Sequence, residues 1–147
     1  MTEYVLRRAS ADDSVALYAL HRAALGSYII AIYGPWDDSA QRSFHRAWFD
    51  PDRLWVIESG GQLIGVLDYT FHDDHVELRR ITIHPDYQNR GIGTSVLTDL
   101  LARADERGLP TTLEVFDVNP AIRLYERLGF IKAERVGHKV HMTRFVR

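Results

Sequence analysis

The chain reads as an α/β protein, a mixed and mostly antiparallel sheet flanked by helices, and three observations carry that reading. Short period-two runs separated by glycine and aspartate turns mark strands, and longer runs with apolar residues three and four apart mark helices. A glycine-containing turn, Gln88 to Gly93, joins one of those strands directly to one of those helices. The order is strand, two helices, three strands, helix, strand, helix, two strands.

Tyr4 to Arg8 is the first strand candidate, and Ser10 with Asp13 three residues later resembles a capping box that opens a helix. Val15 or Ala16, Leu20, Ala23 and Ala24 recur at helical spacing. Beyond Gly26 lies an aromatic and apolar stretch, Tyr28 to Tyr33, which Gly34 and Pro35 should interrupt. Asp37 or Asp38 can cap a second helix carrying Phe44, Trp48 and Phe49 and ending near Pro51. Leu54 to Glu58, the Gly60–Gly61 turn and Leu63 to Phe71 form a hairpin, and Asp73–Asp74 turns the chain into Val76 to Ile83. In that last strand the apolar residues are Val76, Leu78, Ile81 and Ile83, so the period of two slips by one. A β-bulge near Arg79 and Arg80 follows, turning the strand end away from its neighbour. Thr94 to Arg107 is a helix with Val96, Leu97, Leu100, Leu101 and Ala104 on one side. Leu113 and Val115 mark a strand, Pro120 to Leu128 a helix closed by Gly129, and Phe130 to Val136 with Val140 to Phe145 a final strand pair.

At 147 residues the chain is expected to form a single domain, residues 1–147. A formal net charge of −2 gives no electrostatic case for nucleic acid or an anionic membrane as partner. Without cysteine there is no disulfide, thiolate nucleophile or cysteine metal site, and a cytoplasmic location is expected. No signal-peptide core is expected at the N-terminus, and no stretch is expected to approach the length of a membrane span.

The turn of Gln88, Asn89, Arg90, Gly91, Ile92 and Gly93 aims backbone N–H groups at a helix N-terminus, where orphan donors and the dipole favour a phosphate. A purely structural glycine turn is the alternative. A P-loop would need lysine then serine or threonine after the second glycine, and a dinucleotide fold would need a third glycine where Val96 stands.

These six residues fit a Gln/Arg-x-x-Gly-x-Gly/Ala loop, and Asn119 to Phe130 looks like the signature that follows it downstream. Together they resemble the GNAT superfamily of acetyl-CoA-dependent N-acetyltransferases. The resemblance implies that acetyl-CoA lays its pyrophosphate on the amides from Arg90 to Thr94. Its pantetheine would pair with the strand end at Ile81, Thr82 and Ile83 and meet Asn119, which can equally cap the helix after Pro120. Tyr125 stands where the family keeps a general acid, although one residue fewer separates it from Asn119 than in many members; a core aromatic is the alternative. Glu77, eleven residues before Gln88, matches the general base of the histone acetyltransferase branch. An ammonium acceptor of pKa ~10.4 must lose a proton before attack, to Glu77 directly or through water. An ion-paired strand residue is the alternative.

Tyr28, Tyr33 and Trp36 cluster in sequence between the first two helices and suggest an aromatic-lined acceptor pocket, to which His21 can add. His72, Asp73, Asp74 and His75 read as a solvated turn, His138 and His141 lack ligand spacing, and no metal is expected. The expected activity is acetyl transfer to a primary amine of a small molecule or protein. The rival is a non-catalytic CoA-binding protein, and the exposed C-terminal strands offer a surface for a homodimer.

Overall fold

The computed structural model describes residues 2–147. Its strands are β1 (Val5–Arg8), β2 (Trp55–Ser59), β3 (Gln62–Phe71), β4 (Val76–Ile83), β5 (Thr111–Phe116), β6 (Ile131–Val136) and β7 (Lys139–Arg144). Its helices are α1 (Ser14–Tyr33), α2 (Asp38–Trp48), α3 (Ile92–Glu106) and α4 (Ala121–Arg127). The strand order is β1-β2-β3-β4-β5-β7-β6, with β4 and β5 parallel and the pairs β1–β2, β2–β3, β5–β7 and β6–β7 antiparallel. The chain falls into two compact units, one running to Asp68 and taking in Ile81–Ile92, the other comprising Tyr69–Arg80 and Gly93–Arg147.

In the first unit, Leu17 and Leu20 of α1 meet Leu54 and Val66, with Ala9, Trp48, Phe49 and Leu63 packed around them. Each such side chain stabilises the fold by about 1.5–3 kcal/mol through burial. Asp13 opens α1 as expected, accepting from the Ser10 N–H at 2.8 Å, and its carboxylate grips the Arg7 guanidinium with two bonds of 2.9 Å. The Asp37 side chain caps α2 through the Ala40 N–H at 3.0 Å. Asp68 is fully buried; its carboxylate accepts from Arg53 Nε at 2.8 Å and Trp48 Nε1 at 3.0 Å, which offsets the cost of burying its charge.

On α1 the expected interruption at Gly34 is found, and one expectation is corrected. The helix runs unbroken through Gly26 to Tyr33 and stops only at Gly34, φ +94°, whose N–H returns to Ile30 O at 2.9 Å. Gly26 costs the helix about 1 kcal/mol relative to alanine, yet it is buried, and a Cβ there would already touch the Trp36 ring at 3.8 Å. The correction concerns length: Ala11–Tyr33 is long and apolar enough to cross a membrane. The helix buries Leu17, Tyr18, Leu20, His21 and Ile29.

In the second unit, α3 buries Val96, Leu97, Leu100, Leu101 and Ala104, the face its spacing implies. It starts at Ile92 rather than Thr94. Val76, Ala104 and Leu109 form a core cluster with Phe71 against it. The Arg144 guanidinium donates to both Asp105 oxygens, at 2.9 and 3.0 Å, and to Leu128 O at 3.0 Å, tying β7 to α3 and to the end of α4. All six residues of β6 are exposed, as befits an edge strand, and its register against β7 shifts between Lys132 and Glu134.

Candidate active site

The expected slip in β4 is visible in where its backbone groups point. The N–H of Val76 donates to Pro110 O at 2.8 Å, toward β5, whereas the N–H of His84 donates to Ile64 O at 2.7 Å, toward β3. In an unbroken strand, residues an even number apart present their N–H groups to the same neighbour. The reversal therefore requires a slip of one residue between them, and it leaves Ile81 and Ile83 facing away from β3. The β4–β5 ladder covers Val76 to Leu78 alone, so the backbone of Ile81 and Ile83 lies beyond it. Thr82 is buried, with Ile81 and Ile83 half-buried. Its carbonyl approaches β3 where Gly65 stands: a Cβ there would lie 2.7 Å from Thr82 O and 3.1 Å from Ile83 Cδ1. Only glycine permits that approach, and Gly65 carries no motif that would single it out in the sequence.

Past β4, a short 3₁₀ turn, Pro85–Tyr87, leads into the glycine loop. Gln88 folds back so that its Nε2 donates to Ile83 O at 2.9 Å, tying the loop to the strand end. Arg90 stacks on the Tyr87 ring, 4.9 Å from its centroid. Asn89 and Gly91 adopt positive φ, 62° and 81°, the alternation that makes successive N–H groups converge into an anion-binding concavity. The N–H groups of Asn89, Arg90 and Gly91 have no hydrogen-bond partner among the described residues. Buried Ile92 anchors the loop while Gln88, Asn89, Arg90, Gly91 and Thr94 are exposed. Gly93, in the first turn of α3, would bring a Cβ within 3.5 Å of Leu124 on α4.

Asn119 caps α4, its Oδ1 accepting from the Ala121 N–H at 2.9 Å. This is the structural role weighed for it, and it leaves the Nδ2 amide to donate elsewhere. Tyr125, on α4, is 7% exposed and meets the Phe130 ring edge-on at 5.8 Å. Its hydroxyl has no hydrogen-bond partner among the described residues, and burial raises its pKa to about 12. A phenol in that state stays protonated and donates.

Glu77, on β4, is ion-paired: its Oε1 lies 2.9 Å from His72 Nε2 and 3.1 Å from Arg79 Nη2. His72 had been assigned to a turn of no chemical interest, and its approach to Glu77 follows from hairpin register that the motif does not encode. Around Trp36 the structure assembles a ring cluster from His21 at 5.9 Å, the residue expected to add to this region, and Tyr18 at 6.3 Å, which the sequence did not group with it. Asp38 accepts from Tyr18 OH at 2.6 Å, Arg42 Nε at 2.7 Å and Trp36 Nε1 at 3.4 Å. The Tyr18 bond, then the Arg42 one, holds its carboxyl down at about 2. Tyr28 is half-buried and joins none of these rings; Tyr33 is 65% exposed.

Residues 15–130 match the acetyltransferase (GNAT) family. Mycothiol acetyltransferase of Streptomyces coelicolor is 35% identical over 91 residues, 59% of this chain and 29% of that protein. Its namesake in Thermomonospora curvata is 36% identical over 88 residues, 58% of this chain and 30% of that protein. The match thus spans less than a third of these relatives' length. The PaiA N-acetyltransferase of Thermoplasma acidophilum, solved in complex with coenzyme A, superposes with a TM-score of 0.76 at 18% identity, covering 98% of this chain and 99% of that one. The ribosomal-protein-S18-alanine N-acetyltransferase of Escherichia coli gives 0.68 at 23%, covering 98% and 94%. At such identities these two likenesses speak for the fold, which is the one the element order implied. The family match extends over most of the sequence and includes both motifs: the chain belongs to the acetyltransferase (GNAT) family.

Proposed function

We propose that residues 1–147 work as one acetyltransferase domain that moves an acetyl group from acetyl-CoA to a primary amine of a small molecule or peptide, by direct attack in a ternary complex. The observation that carries this reading is the run of partnerless N–H groups from Asn89 to Gly91, continuous with the N-terminus of α3. It follows a strand whose last backbone groups face away from β3.

In this reading the amides of Gln88, Asn89, Arg90, Gly91, Ile92, Gly93 and Thr94 take the pyrophosphate, and Ile81, Thr82 and Ile83 present the strand end to the pantetheine amides. Asn119 adds its Nδ2 donor while capping α4. Trp36, with Tyr28 and Tyr33, lines the acceptor's approach. Glu77 accepts the ammonium proton, directly or through water, and the amine nitrogen then attacks the thioester carbon. The carbon–sulfur bond breaks, the sulfur leaves as a thiolate to which Tyr125 O–H donates a hydrogen bond, and the nitrogen gives up its second proton to water. No cysteine is available to carry the acetyl group, consistent with a single transfer. A cytoplasmic location, a homodimer through the exposed C-terminal strands, and no nucleic-acid or membrane partner belong to the same proposal.

The test is calorimetric titration with acetyl-CoA, followed by a thiol-release screen across amine classes. Micromolar binding, weakened by Gly91→Val, and turnover with at least one amine class are expected. Absence of acetyl-CoA binding overturns the reading; binding without thiol release from any amine replaces it with a CoA-binding protein.

A further inference from the structure

The turn between β3 and β4 brings two histidines that acetyl transfer does not call for beside Glu77, the proposed base. The His72 N–H donates to His75 O at 2.8 Å, so these two residues face one another across a tight turn with only Asp73 and Asp74 between them. Cross-strand partners point to the same face, and so do residues two apart on one strand. That register puts His72, His75 and Glu77 side by side. The imidazole rings stack with centroids 4.6 Å apart and planes at 21°, His72 Nε2 is 2.9 Å from Glu77 Oε1, and one donor atom from each of the three lies within 4.8 Å of the other two.

We infer that His72, His75 and Glu77 form a site for a divalent transition metal, zinc by donor type. Two imidazoles and one carboxylate are a known zinc donor set that leaves a fourth position for water. Bonds of about 2.0–2.1 Å in a tetrahedron place donors roughly 3.3 Å apart. The His72–Glu77 pair must open by a few tenths of an ångström and the other separations close by at most about 1.5 Å, within reach of side-chain rotation. The second shell is present already: Asp74 Oδ1 holds His75 Nδ1 at 2.6 Å. A carboxylate on Nδ1 fixes the tautomer that leaves Nε2 for a metal. The three side chains are 34–38% exposed, so a hydrated ion can reach them. Arg79 lies in the way, 3.1 Å from Glu77 Oε1. It also donates to the Thr70 hydroxyl and keeps that partner when a metal takes the carboxylate.

The site shares Glu77 with the acetyl-transfer reading, but metal binding is measured on the free protein, so the two can fail separately. Calorimetric titration of the native chain with zinc chloride is expected to show one equivalent bound. His72→Ala and His75→Ala each abolish it, and Asp74→Asn weakens it about 10–100-fold. His141→Ala, which touches the other histidine–glutamate pair at Glu114, leaves it unchanged. Cobalt chloride should give a visible ligand-field spectrum with the native chain and not with His75→Ala, whose thermal melt in chelator matches the native one. No bound zinc, or binding that persists in both histidine variants, overturns the inference, as does binding lost in His141→Ala.

Discussion

Replacing Tyr125 with phenylalanine removes one oxygen from a buried position and nothing else. That hydroxyl has no partner among the described residues, so its loss leaves no orphaned donor or acceptor among them, and the fold is expected to keep its melting temperature or gain slightly. Catalysis is another matter, and the pKa decides which kind. A phenol held at about 12 gives its proton to a thiolate, whose acid titrates near ~8.5, only at a cost of roughly 5 kcal/mol. Full proton transfer is therefore uphill. A hydrogen bond from the intact phenol to the developing negative sulfur is not, and a bond to a charged group contributes about 1.5–3 kcal/mol.

Tyr125→Phe should thus lower kcat by about 10- to 150-fold, with the KM for acetyl-CoA nearly unchanged because the bond strengthens only as charge develops. Steady-state thiol release against the best acceptor measures both. An unchanged kcat removes Tyr125 from the chemistry, and a loss beyond about 10⁴-fold shows a true proton donor, refuting the argument from its pKa. Stability gives an independent check. A folded pKa raised above the unfolded value of about 10 means that stability is fully present below pH 10 and is lost as pH rises through about 12. The loss amounts to roughly 3 kcal/mol at the limit, and the phenylalanine variant is expected not to show it.

Gly65→Ala drives a methyl to 2.7 Å from a backbone carbonyl, which cannot rotate away; a loss of about 1–3 kcal/mol and a melting temperature lower by roughly 3–10 °C are expected. Weaker acetyl-CoA binding should accompany it, because Thr82 and Ile83 are what must move, and an unchanged melt would show that β3 and β4 do not approach so closely. Asp13 and Asp105 are held below the ordinary carboxylate range, chiefly by hydrogen bonds from Arg7 and Arg144. Folded values below unfolded ones stabilise above pH ~3.9 and lose that contribution as pH falls through the folded values. Asp105→Asn should therefore flatten the acid limb of a melting-temperature profile, and an identical limb would remove Asp105 from the account.

What the sequence disclosed about this fold is whatever depends on local chemistry. Asp37 caps α2 and Ser10 with Asp13 opens α1 because a cap needs only residues three apart. The β4 slip was legible because apolar spacing within a single strand records which way each side chain points, and the glycine loop because positive φ selects for glycine. Gly91 obeys that rule, whereas Asn89 reaches the same region without it.

The harder losses came from register. Gly65 matters because Thr82 O passes over it, and no spacing within β3 announces which carbonyl of β4 will do so. Ring contacts depend on more than adjacency likewise: Tyr28, Tyr33 and Trp36 are close in sequence, whereas a helix turns successive residues onto different faces. The residues that reach Trp36 are Tyr18 and His21, most of a helix away in sequence. His72, His75 and Glu77 were all visible as residues, yet they were sorted into a turn and a strand, two elements judged separately. Only the pairing of His72 with His75 fixes which neighbours share a face, and shifting that pairing by one residue would send Glu77 to the opposite side of the hairpin from His72. Single-strand periodicity therefore reads the donor side of this protein well. Groups assembled across strands, the metal-ligating trio among them, become visible only when the register is known.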